Sequence, residues 1–190
     1  MISEQYKTIF IHIPRNGGVS VEKTLLNEVE GDKYSMLDYF IQGKYQTIQE
    51  IQGEKYEEYH KWTIVRNPWE REAAIYNSLQ EKSINSSQSF EDYLGMLINL
   101  EGLESGINKS QTTYFLVNNN VMIDQIVRIE GLRETWPRIC QNINCQYDNI
   151  AHYNKARNNN YRELYSTKTR KMVEKLRQKD IEFLNYDYPY

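Results

Sequence analysis

Near its N-terminus the chain carries a stretch, residues 9–26, whose order of residue types is suited to binding a phosphate group. An apolar run typical of a buried strand ends at Pro14, and a pattern typical of a helix begins at Ser20. The first turn of a helix presents N–H groups that have no partner inside the helix, and the helix dipole adds partial positive charge there. This order predicts an anion-binding turn between a strand and a helix.

The residues inside this turn support the same prediction. Gly17 and Gly18 allow the backbone to approach an anion without an intervening Cβ atom. Arg15 supplies a cation, and Ser20 supplies a hydroxyl at the expected N-cap of the helix. We therefore interpret residues 14–20 as a phosphate-binding loop.

A second segment of the same design follows the next apolar run, at residues 65–71 (Val-Arg-Asn-Pro-Trp-Glu-Arg). Arg66 stands where the strand is expected to end, and its planar guanidinium can bind a phosphate through two hydrogen bonds. Taken alone, Arg66 could equally be a surface residue beside an Asn-Pro turn, but the first loop favours phosphate binding. Two anion sites at neighbouring strand ends suit a nucleotide with phosphates at both ends of its ribose.

The elements that position these segments alternate between strands and helices, which predicts an α/β protein with a mainly parallel central sheet flanked by helices. Ligands of such sheets bind at the carboxyl ends of the strands, where both segments are expected. We predict one domain over residues 1–190. Strands are expected at 8–13, at 61–65 and within 121–129. Helices are expected at 20–29, from about 69–71, at 90–100 with Ser89 or Glu91 near its start, at 134–142 and at 162–176. A helical region, interrupted near Gly53, is expected at 47–59. The aromatic residues of 183–190 are expected to dock on the body of the protein.

Composition narrows the class of protein. The net charge of −3 argues against a protein that coats nucleic acid. No apolar run reaches the roughly 18 residues of a membrane span, and no signal sequence is evident, so we expect a cytoplasmic protein with no membrane partner. Cys140 and Cys145 lack the neighbours of a zinc site, and buried thiols are favoured over a disulfide or a reactive thiol.

The ordered motifs resemble those of sulfotransferases that use 3′-phosphoadenosine 5′-phosphosulfate (PAPS), especially the carbohydrate-type branch with its heparan and chondroitin sulfotransferase-like bacterial members. Residues 14–20 resemble the family's 5′-phosphosulfate loop, Pro-Lys-Thr-Gly-Gly-Thr-Ser, and residues 65–71 match its 3′-phosphate motif in full. Residues 152–155 and 179–186 resemble two C-terminal motifs of the family. Gln111 and the pair Ile129-Glu130 also occur where members often carry a Gln and an acid.

The resemblance implies a P-loop-like sulfotransferase fold, PAPS as the sulfuryl donor, adenosine 3′,5′-bisphosphate as its product, and no metal. It implies an acceptor hydroxyl or amine on a small molecule or glycan, attacked in line. The residues that it assigns to nucleotide binding are Pro14, Arg15, Asn16, Gly17, Gly18, Val19, Ser20, Arg66, Lys155 and Arg157.

The same resemblance names three candidates for the chemistry. Arg15 replaces the loop lysine that stabilises charge on the bridging oxygen, and Tyr45 stands in the place of a histidine that often follows a lysine in the family. His152 is the third candidate, although shaping its own loop is the favoured role. Because a tyrosine with a pKa near ~10 is a poor base at neutral pH, Asp38 and Glu50 stay open as alternatives.

The other histidines are expected to have structural or solvent-exposed positions, His12 as a core residue of the first strand and His60 as an exposed residue. A degenerate nucleotide-binding protein is the alternative function, since Arg15, Tyr45 and Ala74 all depart from the family pattern. A nucleoside triphosphatase-type kinase or other transferase is disfavoured, because residues 13–20 lack Gly-Lys-Ser/Thr.

Overall fold

The structure is a computed structural model, and it describes residues 1–26, 45–51, 56–81, 88–100, 108–146, 150 and 161–189. Strands in these ranges are β1 (Ile2–Ser3), β2 (Thr8–Ile11), β3 (His60–Val65), β4 (Leu116–Val117), β5 (Asn120–Val121) and β6 (Gln125–Arg128). They form a four-stranded sheet in the order β1-β2-β3-β6 and a separate hairpin of β4 and β5.

The central sheet is mixed. The pairs β2–β3 and β3–β6 are parallel, as the sequence predicts, whereas β1 pairs with β2 in the antiparallel direction. Phe10 lies opposite Trp62, and Ile64 lies opposite Val127. The carboxyl ends of β2, β3 and β6 therefore meet at one edge of the sheet, which confirms an α/β architecture.

The helices in the described ranges are α1 (Gly18–Leu26), α2 (Pro68–Glu81), α3 (Phe90–Asn99), α4 (Leu132–Ile143), α5 (Thr167–Leu176) and α6 (Gln178–Leu184). Ser89, one of the two residues expected near the start of this helix, caps α3 by accepting a hydrogen bond from the Asp92 N–H. None of the helices in the described part of the chain is long and apolar enough to cross a membrane.

The described residues of the predicted helical region at 47–59 form no α-helix, so the expected amphipathic helix is wrong there; they include a short 3₁₀ helix at Ile48–Glu50. The Glu50 carboxylate accepts hydrogen bonds from the Thr47 N–H (2.6 Å) and hydroxyl (2.9 Å). This local bonding closes a single turn, and Ile51 that follows has extended backbone angles. Sequence analysis also did not predict α6 as a separate helix.

The chain forms two compact units, one of Met1–Val65 with Thr113–Lys155 and one of Arg66–Thr112 with Ala156–Tyr190. In the first unit, α1 and α4 pack on one face of the sheet. The largest rings of this core belong to Phe10, Trp62 and Trp136, all nearly inaccessible to solvent. Because the apolar side chains of this core as a whole come from three strands and two helices, their burial fixes the strand ends that carry the first loop.

The second unit is helical, and aromatic rings fill much of its core. Trp69 of α2 is buried, and Tyr188 packs edge-on against it and against Tyr165, each with ring centroids 5.6 Å apart. The expected docking of the C-terminal aromatic segment is thus confirmed within this unit. The helix pattern predicts that Ala73, Ala74, Ile75 and Tyr76 of α2 face inward; the first three are buried, and Tyr76 is half-buried.

Cys140 and Cys145 form a disulfide, so the prediction of free buried thiols is wrong. Helix α4 ends at Asn144, whose φ of 53° reverses the chain. The Cys145 N–H then donates to the Cys140 carbonyl (2.9 Å), and the two Cα atoms lie 4.6 Å apart. That separation is within the range that a disulfide requires.

Candidate functional site

The turn between β2 and α1 is built from backbone conformations and close contacts that favour glycine. Arg15 and Gly17 have φ angles of 67° and 80°, in the left-handed region. A Cβ atom on Gly17 would lie 3.0 Å from the Ile129 side chain, and one on Gly18 would lie 2.5 Å from the His12 ring. A residue with a Cβ atom would therefore collide with the scaffold at position 18 and be strained at position 17.

Asn16 anchors this turn to the neighbouring strand. Its side-chain amide donates to the carbonyl of Ile64 in β3 (2.8 Å), and the residue is only 1 % exposed. The side-chain amide of Asn16 is thus engaged with the sheet. The backbone of the turn is consequently held at the carboxyl end of β3, next to the strand on which the turn begins.

Helix α1 starts two residues earlier than predicted, at Gly18, and this changes the position of Ser20. Ser20 lies inside the first helical turn, so its assignment as the N-cap is wrong. Its N–H donates to the Gly17 carbonyl (3.0 Å), and its own carbonyl accepts from the Thr24 hydroxyl (2.7 Å). The left-handed Gly17 turns the chain early enough for the helix to begin at Gly18. Val19, half-buried, belongs to the same first turn.

Arg15 and Pro14 differ in exposure. Pro14 is buried at the start of the turn, whereas the side chain of Arg15 is half-buried. The positive φ of Arg15 is unusual for a residue with a side chain, and it costs about 1–2 kcal/mol. The turn therefore maintains a strained backbone at the cation for which the family resemblance implies a catalytic role.

Behind the turn lies a buried pair that sequence reasoning missed in part. His12 Nδ1 lies 3.0 Å from Glu22 Oε1 of α1, and both residues are buried. The prediction that His12 is a core residue is confirmed, but nothing in the local pattern identified Glu22 as its partner. The available signal is the position of Glu22 on the buried face of α1 in the helical periodicity. Because buried carboxylates are normally paired, this position indicates that Glu22 has a partner.

Tyr45 lies against the same histidine. Its ring meets the His12 ring edge-on, with centroids 5.1 Å apart, and it is half-buried. Within the first unit, Tyr45 therefore packs on His12, the residue whose ring lies next to Gly18 of the loop. His60, expected to be exposed, is instead half-buried, with Nε2 3.2 Å from Gln125 Oε1.

In the second unit, Arg66 is the first residue after β3, and the Gln111 side chain binds its backbone. The Arg66 N–H donates to Gln111 Oε1 (2.9 Å), and Gln111 Nε2 donates to the Arg66 carbonyl (2.8 Å). The guanidinium lies 3.4 Å from the Glu70 carboxylate, and each of these two side chains is 23 % exposed. Arg66 is thus fixed at its backbone and partly accessible at its charged end.

The other motif residues of 65–71 have structural roles. The Asn67 side chain accepts from the Trp69 N–H (3.1 Å) at the start of α2 and donates to the Asp187 carbonyl (2.8 Å). Arg71 is fully buried and donates to the Lys109 carbonyl (3.3 Å). Of the two arginines in the motif, only Arg66 has a partly exposed side chain.

A buried charged network underlies this segment, and sequence reasoning missed it. The Arg177 guanidinium lies 2.8 Å from Glu72 Oε1, and the Tyr93 hydroxyl donates to Glu72 Oε2 (3.1 Å). Burial raises the pKa of Tyr93 well above its ordinary value, and the Glu72 charge adds to the shift. Glu72 and Tyr93 lie in two different helices and Arg177 lies at the junction of α5 and α6, so no local spacing predicts their association.

Several predicted residues lie outside the described part of the chain: His152, Lys155, Arg157 and the alternative base Asp38. The other alternative base, Glu50, accepts both hydrogen bonds from Thr47 described above. Its role there is to close a 3₁₀ turn.

Comparison of the chain with protein-family models, with curated proteins and with solved structures finds no match. The resemblance to sulfotransferases remains a prediction from the sequence motifs.

Proposed function

We propose that the protein transfers a sulfuryl group from PAPS to a hydroxyl or amine of a small molecule or glycan. The acceptor atom forms a bond to sulfur, the bond from sulfur to the bridging oxygen of the 5′-phosphate breaks, and adenosine 3′,5′-bisphosphate leaves. The acceptor proton passes to a base of the protein. When bound, PAPS supplies the activated sulfuryl group, and no metal is involved.

The observation that carries this proposal is the construction of the loop at 14–18. Two adjacent positions, Gly17 and Gly18, have no room for an unstrained Cβ atom, and Asn16 ties the loop to β3. A turn built in this way has its backbone fixed in place, and a fixed backbone is what preorganised binding of a phosphate requires. The fit of the 5′-phosphosulfate to this chain rests on that backbone and on Arg15.

The second element of the proposal is Arg66, which we assign to the 3′-phosphate. Its backbone is fixed and its guanidinium is partly exposed, and both features support the assignment. A bidentate contact to a phosphate requires the guanidinium in a defined position, which a fixed backbone favours. Arg15 is assigned to the bridging oxygen, Tyr45 is a candidate base, and a P-loop-like fold and a cytoplasmic location belong to the same proposal.

A catalytically degenerate nucleotide-binding protein is the second candidate. The observation that favours it is the packing of the Tyr45 ring edge-on against His12, which gives Tyr45 a structural role. Both candidates predict nucleotide binding, so only turnover separates them. Robust sulfuryl transfer by the wild-type protein would rule out a catalytically degenerate protein.

The testing experiment is a calorimetric titration with adenosine 3′,5′-bisphosphate, with ATP and AMP as controls. We expect selective binding that Arg66→Ala weakens by about 10–100-fold, because a charge-assisted phosphate contact contributes about 1.5–3 kcal/mol. The exposed Arg138 of α4 offers a matched control, and Arg138→Ala should leave the affinity unchanged. Absence of binding, or preference for ATP, would overturn the proposal.

A further inference from the structure

The side chain of Gln111 binds both backbone polar groups of a single residue, Arg66. It accepts from the N–H (2.9 Å) and donates to the carbonyl (2.8 Å), so its amide is used at both ends. Gln111 itself is fully buried. An amide side chain in this arrangement does what the backbone of a neighbouring strand does inside a sheet, at a residue that lies just beyond β3.

Asp180 in turn holds the backbone of Gln111. Its Oδ2 accepts from the Gln111 N–H (2.8 Å), and its Oδ1 accepts from the N–H and the hydroxyl of Thr112 (both 3.0 Å). Asp180 is fully buried in the first turn of α6. A buried carboxylate that accepts hydrogen bonds from three donors is held in one position. Because one of those donors is the Gln111 N–H, the position of Gln111 is closely defined as well.

Near Asp180, the junction between α5 and α6 also makes hydrogen bonds to other parts of the second unit. Arg177, the residue before α6, donates to Glu72 (2.8 Å) and to the Asn108 carbonyl (2.8 Å). Asn108 lies three residues before Gln111. Both ends of this short segment are therefore held by charged side chains of one helix junction.

On the basis of the proposed function, we propose that Gln111 is a positioning residue for anion binding by Arg66, with Asp180 holding it in place. An arginine side chain loses considerable rotamer freedom when it binds a phosphate, and a fixed Cα restricts where the guanidinium can reach. Gln111 supplies that restriction without touching the ligand. Its contribution to affinity acts through Arg66 and disappears when the guanidinium is removed.

A double-mutant cycle on nucleotide affinity tests this inference. Adenosine 3′,5′-bisphosphate is titrated into the wild type, Gln111→Met, Arg66→Ala and the double variant. Methionine keeps the length and volume of Gln111 but loses both hydrogen bonds. We expect Gln111→Met to weaken binding by about 3–10-fold in the wild-type background and by less than about twofold in the Arg66→Ala background.

A purely structural role for Gln111 gives a different result. An equal loss of affinity in both backgrounds, or no loss in either, would overturn the inference while leaving the proposed function intact. A wild type that does not bind the nucleotide would overturn the proposed function and this inference with it. Tyr93→Phe, which removes another buried hydrogen bond of the same unit, is the stability control and should leave affinity unchanged.

If Gln111→Met does not fold, Asp180→Asn provides the second route. It keeps the shape of Asp180 but removes an acceptor from the backbone of residues 111 and 112. The same cycle with Arg66→Ala should again show coupling, with a smaller loss in the wild-type background. Additive losses in this cycle would contradict the inference.

Discussion

The ring of His12 occupies the space that a side chain at position 18 would need. A Cβ atom on Gly18 would lie 2.5 Å from two atoms of that ring, and the ring is held from its other side by the Glu22 carboxylate at 3.0 Å. Because His12 is buried and paired, it cannot move aside at low cost. The loop therefore depends on this glycine for its shape.

Gly18→Ala should lower the free energy of unfolding by about 1–3 kcal/mol, the usual cost of overpacking, and should weaken nucleotide binding. Urea unfolding followed by circular dichroism measures the first effect, and calorimetry the second. Gly95→Ala, in α3, is the matched control, because a Cβ atom there would meet only the Met172 side chain, at 4.0 Å. That variant should be stabilised by about 0.5–1 kcal/mol. Equal effects at the two glycines would contradict this account of the loop.

Tyr45→Phe distinguishes a catalytic tyrosine from a packing one. Loss of a general base should lower the rate of sulfuryl transfer by about 10²–10⁴-fold, while nucleotide affinity stays constant because the ring still packs on His12. Tyr56→Phe, whose ring packs edge-on against Tyr59 at 5.3 Å, is the control. An unchanged rate for Tyr45→Phe would remove Tyr45 from the mechanism.

Glu70→Gln should strengthen binding of adenosine 3′,5′-bisphosphate by about two- to fivefold. The Glu70 carboxylate, 3.4 Å from Arg66, competes with a phosphate for the guanidinium and repels its charge. Glu174→Gln removes the corresponding carboxylate of another i,i+4 pair, with Arg170, and should have no effect. Weaker binding by Glu70→Gln would mean that Glu70 mainly orients Arg66.

Alkaline pH should destabilise the protein through its buried tyrosines. Burial raises the pKa of Tyr93 and of Tyr165 above the ordinary value of 10.0, and the charge of Glu72 adds to both shifts. Above about pH 10 these tyrosines ionise in the unfolded chain but stay protonated in the folded one, so the stability present below pH 10 is lost as the pH rises. The slope is about 1.4 kcal/mol per pH unit for each tyrosine.

Urea unfolding at a series of pH values between 8 and 11.5 measures this slope. Tyr93→Phe should reduce the slope of the unfolding free energy against pH by the contribution of one titrating proton. Tyr165→Phe should reduce that slope by the same amount. If the double variant loses stability with pH as steeply as the wild type, the decline has a different origin.

The parts of the fold that the sequence predicted are those encoded by local patterns. Apolar runs that end at Pro14 and before Pro68 correctly placed β2 and β3, and of the two residues expected near the start of α3, Ser89 is the cap. The two-residue strand β1 is too short to show any periodicity. The region at 47–59 had a suitable apolar pattern, but its described residues form short 3₁₀ and turn conformations in place of an α-helix.

For the candidate site, the sequence predicts roles for the glycines and Arg66 but does not show which residues hold them in place. Gln111 lies 45 residues from Arg66 along the chain, and Asp180 lies 69 residues from Gln111. The motif comparison marked both Gln111 and Asp180 without giving either a role. Hydrogen bonds over such separations depend on the tertiary fold, so a local pattern cannot reveal them.

The hydrogen bond from Asn16 to Ile64 also determines how the loop behaves in time. Surface loops usually exchange their amide hydrogens with solvent within local, low-energy openings. Here the turn is attached to β3, and Pro14, Asn16 and Gly18 are buried. To open the turn, the protein must also break this buried hydrogen bond to a central strand. The backbone amides next to Asn16 should therefore exchange on the slow timescale of the sheet, and a phosphate would meet a surface that is already ordered.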